Sequence, residues 1–181
     1  NTVRYNHLYD LTQGLYINSS SNNSISYNNI TSNNGYGIHV SLSDNNSINN
    51  NTLSSNNGYG IFLNTSSKNN IIHYNIFSEN KNYGVYIEQN AVNNVIHHNN
   101  FIANIGERVQ AFDRSNNNKW NNNLGEGNFW SDYSSRYPLA THNGVTWDIA
   151  YSVDGGMGVK DEHPLVFITF VDDISPTFVT D

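Results

Sequence analysis

One asparagine returns along this chain at a nearly constant interval, and that interval limits the fold more than any other feature. Asn6, Asn28, Asn51, Asn75, Asn99 and Asn123 stand 22, 23, 24, 24 and 24 residues apart. The wording around them repeats as well. Ser24-Ile25-Ser26-Tyr27-Asn28-Asn29-Ile30 is followed by Ser47-Ile48-Asn49-Asn50-Asn51-Thr52-Leu53, then Ile71-Ile72-His73-Tyr74-Asn75-Ile76-Phe77, then Val95-Ile96-His97-His98-Asn99-Asn100-Phe101. A fixed period of this size marks a chain built from stacked, equivalent units. A low-complexity Asn/Ser segment could match itself by chance. Agreement of several apolar and polar columns across five registers argues against that.

Within each unit the apolar residues fall in three short groups. Ile25, Ile30 and Ile38 have counterparts in Ile48, Leu53 and Ile61, then Ile72, Phe77 and Val85, then Ile96, Phe101 and Val109, while Val3, Leu8 and Leu15 begin the series. Steps of 5 and then 8 (7 in the first unit) fit no helical face. Local alternation, as in Ile61-Phe62-Leu63, and intervening Asn, Gly and Ser read as short strands joined by turns. Three strands and three turns per unit describe one rung of a parallel β-helix, with rungs about 4.8 Å apart. The expected fold is all-β: a right-handed, single-stranded parallel β-helix of about six coils over residues 1–125. A β-rich C-terminal cap is expected over 126–172, and a linker to a following domain over 173–181.

Stacking places like over like. Ile25, Ile48, Ile72, Ile96 and Trp120 should form an internal column. Asn28, Asn51, Asn75 and Asn99 should form an amide ladder at a bend, since asparagine tolerates left-handed backbone and can donate and accept along a stack. Asn33, Asn56, Asn80 and Asn104 form a second such column. Gly37, Gly60 and Gly84 form a third, where positive φ or close packing is expected, and Arg108 takes that place in the next coil.

The Asn-x-[Ile/Phe] and Gly-[Ile/Val] rungs resemble the right-handed β-helix repeat of the NosD-like family, also called carbohydrate-binding and sugar-hydrolase repeats. Gly127-Asn128-Phe129-Trp130-Ser131-Asp132-Tyr133 and Tyr137-Pro138-Leu139 resemble the segment that closes such helices in archaeal surface proteins. The resemblance spans residues 1–139. It implies the fold, but families of this kind include lyases, hydrolases, epimerases and non-enzymatic surface proteins, so the fold leaves activity open.

Composition narrows the classes. Of 181 residues only 13% are charged, the formal net charge is −7, and eight Lys and Arg supply no basic stripe for nucleic-acid phosphates. No apolar run reaches about 18 residues, so no membrane span is expected. The chain has no cysteine, which excludes disulfides and thiolate metal sites. It opens inside a repeat and ends on linker-like residues, which suggests a piece of a longer protein. After the last rung, Trp130, Tyr133, Tyr137 and Leu139 are expected to plug the core. Val145–Tyr151 and Leu165–Val171 read as strands around an Asp154-Gly155-Gly156 turn.

Three constellations could carry chemistry. His73 and His97 share an outward rung position, about 5 Å apart, with His98 alongside. Such a pair can bind copper or zinc, but the equivalents Ser26, Asn49 and Asn121 add no third ligand, and a coincidental solvent-facing pair explains it better than a metal site. Tyr16, His39, Phe62 and Tyr86 form one aromatic column and Tyr36, Tyr59 and Tyr83 another, which a polysaccharide could line, or which could simply stabilise the stack. Carboxylates are sparse: between Thr2 and Asn104 only Asp10, Asp44, Glu79 and Glu88 occur, in no shared register. The one denser patch, Glu107, Arg108, Asp113 and Arg114 with Glu88, is where a general acid and base would sit in an enzyme, and surface ion pairing is the alternative. Asp154, Asp161 and Glu162 do not match a calcium-loop spacing. Asn18, Asn22, Asn29, Asn45, Asn50 and Asn64 begin glycosylation sequons. Together these point to a non-catalytic module of a secreted or cell-surface protein, without cofactor. Its role would be a rigid scaffold that binds envelope glycan or partner proteins. The competing class is a polysaccharide lyase or glycoside hydrolase.

Overall fold

The computed structural model describes residues 1–105, 109–115 and 117–169. Three parallel sheets run the length of the molecule. The first stacks Thr2–Arg4, Ser24–Ser26, Ser47–Asn49, Ile71–His73 and Val95–His97 in that order. The second stacks His7–Tyr9, Asn29–Thr31, Thr52–Ser54, Ile76–Ser78, Asn100–Ile102 and Phe129–Trp130. The third stacks Leu15–Asn18, Ile38–Ser41, Ile61–Asn64, Val85–Ile87 and Ala111–Asp113. Each turn of chain contributes one strand to each sheet, so the protein is a parallel β-solenoid.

Short strands suffice because register is fixed from inside. In the first sheet Val3, Ile25, Ile48, Ile72 and Ile96 lie directly over one another, and from Ile25 onward they are fully buried. Leu8, Ile30, Leu53, Phe77, Phe101 and Trp130 form the second column. Leu15, Ile38, Ile61, Val85 and Ala111 form the third. Slipping any strand by one residue would turn its apolar side chain to water.

Amide ladders hold the corners. The Asn51 backbone N–H and Nδ2 both donate to Asn75 Oδ1 (3.0 and 3.0 Å), while Asn51 Nδ2 also donates to Ile25 O of the preceding turn (2.9 Å). Asn6, Asn28, Asn75 and Asn99 continue the pattern, and Asn33, Asn56, Asn80 and Asn104 repeat it at the second corner. A third ladder, not singled out in the sequence, runs through Asn23, Asn46, Asn70, Asn94 and Asn118. The left-handed backbone sits one residue earlier than expected: Tyr27, Asn50, Tyr74 and His98, which precede the ladder asparagines, have φ of 53–56°. The asparagine follows the bend and spends its amide on the neighbouring turns. The glycine column keeps negative φ. It is required by close approach, since a Cβ on Gly37 would lie 2.6 Å from Gly60 O.

The end of the solenoid departs from simple extrapolation. Val85 pairs with Ala111, not Val109, and Gly84 N–H donates to Gln110 O, so Gln110 rather than Arg108 succeeds the glycine column. Arg108 itself lies outside the described residues. The amide after Asn99 is Asn128, not Asn123, because residues 121–126 loop out before the chain rejoins the stack. The sixth turn is therefore partial: a bridge between Val95 and Lys119, with Trp120 buried beside it, and the two-residue strand at Phe129.

The remaining chain covers this end. Trp130 stacks on Phe101 at 4.2 Å, and Tyr151 stacks on Trp130 at 3.9 Å, extending the core column upward. Tyr133 is buried and Tyr137 partly so, but Leu139 is 90% exposed and plugs nothing. The expected Val145–Tyr151 strand reduces to Tyr151–Ser152 paired antiparallel with Lys160–Asp161. Asn143 and Asp148 side chains accept from nearby backbone N–H groups and bend the segment before it can extend. Leu165 makes only isolated bridges, Val171 lies outside the described residues, and so does the expected 173–181 linker.

Candidate functional site

Outward residues of the third sheet build an aromatic wall. Tyr16, His39, Phe62, Tyr86 and Phe112 lie in register; the rings stack with centres 4.6 Å apart for Tyr16–His39, 5.0 Å for His39–Phe62 and 4.6 Å for Tyr86–Phe112, while Phe62 meets Tyr86 edge-on at 5.6 Å and 71°. Phe112 extends the column beyond the sequence reading, which stopped where the spacing changed. Tyr36 and Tyr59 stack at 5.2 Å and 3°, and each leans onto Phe62. Tyr83 continues that column at 6.2 Å from Tyr59 but is only 8% exposed, whereas Tyr16 is 53% exposed. All six expected aromatics thus lie on one wall, five of them accessible. Nearly parallel stacking along the axis covers most ring faces with neighbouring rings. Burial pushes the Tyr59 phenol up to about 12 and raises that of Tyr86, so both stay protonated and can donate hydrogen bonds.

A second feature lies on the outward side of the first sheet. The His73 and His97 rings stack with centres 5.3 Å apart, as the shared register requires. His98 occupies the left-handed corner and swings back, so that His97 Nδ1 and His98 Nδ1 approach to 2.8 Å. From the loop that interrupts the sixth turn, Glu126 Oε2 lies 3.5 Å from His98 Nε2. Spacing alone did not join Glu126 to the histidines, because the intervening loop breaks the period. His73 Nδ1 is buried without a hydrogen-bond partner among the described residues. Burial, then the neighbouring His73 and His98, push His97 down to about 4, and burial also lowers His73 and His98. All three rings are therefore neutral near pH 7, with lone pairs available. Among the described residues, no three His, Asp or Glu side chains converge in a metal-holding group.

The carboxylate patch is taken apart. Asp113 points inward, fully buried, accepting from Trp120 Nε1 at 3.0 Å, Ser115 N–H at 2.8 Å and Asn118 Nδ2 at 3.1 Å. Glu88 follows the last strand of its turn and its side chain contacts Tyr86, while Arg114 lies 5.7 Å from the centre of the Phe112 ring. Glu107 and Arg108 lie outside the described residues. Among the described residues, no helix is long and apolar enough to cross a membrane.

The family model described as periplasmic copper-binding protein (NosD) matches residues 1–135. No curated protein and no solved structure matches the chain.

Proposed function

The chain belongs to the NosD family, a family described as periplasmic and copper-binding, and from that premise we propose that it is a non-catalytic β-solenoid module of the cell envelope. It holds a rigid aromatic wall against an envelope polysaccharide. The observation that carries this reading is the wall itself: five rings in contact from Tyr16 to Phe112, stacked except for the edge-on step from Phe62 to Tyr86, and flanked by Tyr36 and Tyr59. Phenolic hydroxyls that remain neutral can hydrogen-bond sugar hydroxyls, and ring edges and the half-exposed Tyr16 offer apolar contact. Burial of Asp113 supports a binding role over hydrolysis, since one carboxylate of the expected acid–base patch is committed to the interior. Copper, which the family description names, finds its best donors here in the His97 and His98 nitrogens.

The test is binding of a panel of neutral and acidic polysaccharides, scored alongside release of new reducing ends or unsaturated uronates. The expected result is retention of at least one polysaccharide without turnover, and a drop of tenfold or more in Tyr16→Ala plus Tyr59→Ala. Turnover by the wild-type chain would replace this reading with the lyase or hydrolase class. Binding unchanged in the double variant would remove the wall from it.

A further inference from the structure

We propose that Asn34-Gly35 is a self-modification site, where the chain converts its own asparagine to aspartate and isoaspartate while the same dipeptide one turn later is held back. The repeat supplies the comparison. Ser32-Asn33-Asn34-Gly35-Tyr36-Gly37-Ile38 and Ser55-Asn56-Asn57-Gly58-Tyr59-Gly60-Ile61 are identical in sequence, so their intrinsic chemistry is the same and only the fold separates them. Asn34 and Asn57 each follow a ladder residue at the second corner, and both are exposed. The glycines differ. Gly58 is buried, and its N–H donates to Gly35 O at 2.9 Å. The Tyr36 ring lies against it, 2.7 Å from where a Cβ would stand. Gly35 is half-buried, and its N–H makes no hydrogen bond among the described residues. A Cβ on Gly35 would meet Thr12 O at 2.6 Å and the Gln13 side chain at 3.7 Å rather than a ring. A third such pair, Asn143-Gly144, has other neighbours and offers no matched comparison.

The glycine nitrogen is the nucleophile of this reaction, and the absence of a side chain on that residue leaves it unshielded. Gly35 N attacks Asn34 Cγ: the N–Cγ bond forms, the Cγ–Nδ2 bond breaks, and Nδ2 leaves as ammonia with the proton that Gly35 N gives up through solvent. Water then opens the resulting succinimide. Cleavage between N and Cγ yields aspartate, and cleavage between N and the Asn34 main-chain carbonyl carbon yields isoaspartate. One water is consumed, one ammonia is released, and no oxidant is required. An N–H committed to a carbonyl must first surrender that bond before its nitrogen turns to Cγ, which is the position of Gly58 and not of Gly35. Both products place a carboxylate two residues before Tyr36, and isoaspartate also adds one carbon to the main chain there. The step therefore alters the charge and the backbone at the edge of the aromatic wall, where Tyr36 stacks on Tyr59. The proposal shares only the solenoid register with the glycan reading, and loss of polysaccharide binding would leave it standing.

The test needs no substitution. The full chain is incubated at mildly alkaline pH, folded in one sample and unfolded in denaturant in another. Conversion at each site is followed by peptide mass spectrometry, with isoaspartate scored by enzymatic methyl labelling. In the unfolded chain Asn34 and Asn57 should convert at the same rate, because their surroundings in sequence are the same. In the folded chain Asn57 should fall about tenfold or more behind Asn34, the scale of one hydrogen bond kept or broken. Isoaspartate should accumulate at position 34 first. Equal rates at the two sites in the folded chain, or Asn57 ahead of Asn34, would overturn the assignment. So would a folded chain in which neither site converts over the time that exhausts the unfolded one.

Discussion

Within a ladder, an asparagine is saturated by its neighbours on both sides. Asn75 Oδ1 accepts two N–H groups from Asn51, and its Nδ2 donates to Asn99 Oδ1 and to Ile48 O. Replacing it with leucine leaves the Asn51 donors and the Ile48 carbonyl buried and unpaired, so Asn75→Leu should cost about 3–5 kcal/mol in denaturant-derived stability. The residue before a ladder or corner position carries the opposite burden, because left-handed backbone is strained for a branched side chain. Leu42 (φ 49°, 53% exposed) stands where the neighbouring turns place Ser19 and Ser66. Leu42→Asn should therefore raise stability by about 0.5–1 kcal/mol, measured by the same unfolding curves. At this scale the repeat was readable because identical residues recur at one interval. The third ladder was hidden in runs such as Asn22-Asn23 and Asn69-Asn70, where spacing cannot tell the ladder residue from the strained one before it.

At the level of elements, all three amide columns point the same way. Their N–H ends face the C-terminal side, where two are met by a carboxylate directly and the third through the Gln110 amide. Asn128 donates to Asp161, Asn118 to Asp113, and Asn104 to Gln110, whose Nε2 reaches Asp132 at 2.8 Å. An acceptor oxygen suits the donor end of an amide stack, because it takes up the last N–H groups. Gln110→Leu should cost about 2–3 kcal/mol by stranding the Asn104 donors. Asp161 also imposes a pH dependence. Burial pushes its carboxyl up to about 7, against the N–H donors of Asn128, Trp130 and His163 that pull it down. Its folded-state value lies above the unfolded value of about 3.9, so the folded chain keeps a proton that the unfolded chain releases. Its contribution is full below about pH 4 and is lost as pH rises toward 7. Unfolding midpoints should fall over that range more steeply in wild type than in Asp161→Asn; equal slopes would discount the residue. These termini were not legible beforehand, since Asp161 is 33 residues from Asn128 and the period has ended. The insertion between Asn104 and Ala111 likewise moved the third sheet's register by two residues, from Val109 to Ala111.

Across the whole molecule, one geometric rule produces the buried columns, the aromatic wall and the histidine edge: equivalent positions in successive turns adjoin. The candidate surfaces could be foreseen only where that rule held without interruption, as for Tyr16 to Tyr86. Glu126 joined the histidines, and Phe112 the wall, through segments where the period breaks. The rule can be tested directly because the chain has no cysteine of its own. Thr31 and Ser54 pair across adjacent turns, with hydroxyls 3.0 Å apart, and Ser78 lies one turn further. Cα atoms of paired strands stand about 4.8 Å apart, within disulfide reach, while two turns span about 9.6 Å and are not. Thr31→Cys with Ser54→Cys should oxidise to an intramolecular disulfide in the folded chain, and Thr31→Cys with Ser78→Cys should keep two free thiols. The reverse outcome, or equal oxidation of both pairs, would contradict the stacked register on which every surface described here depends.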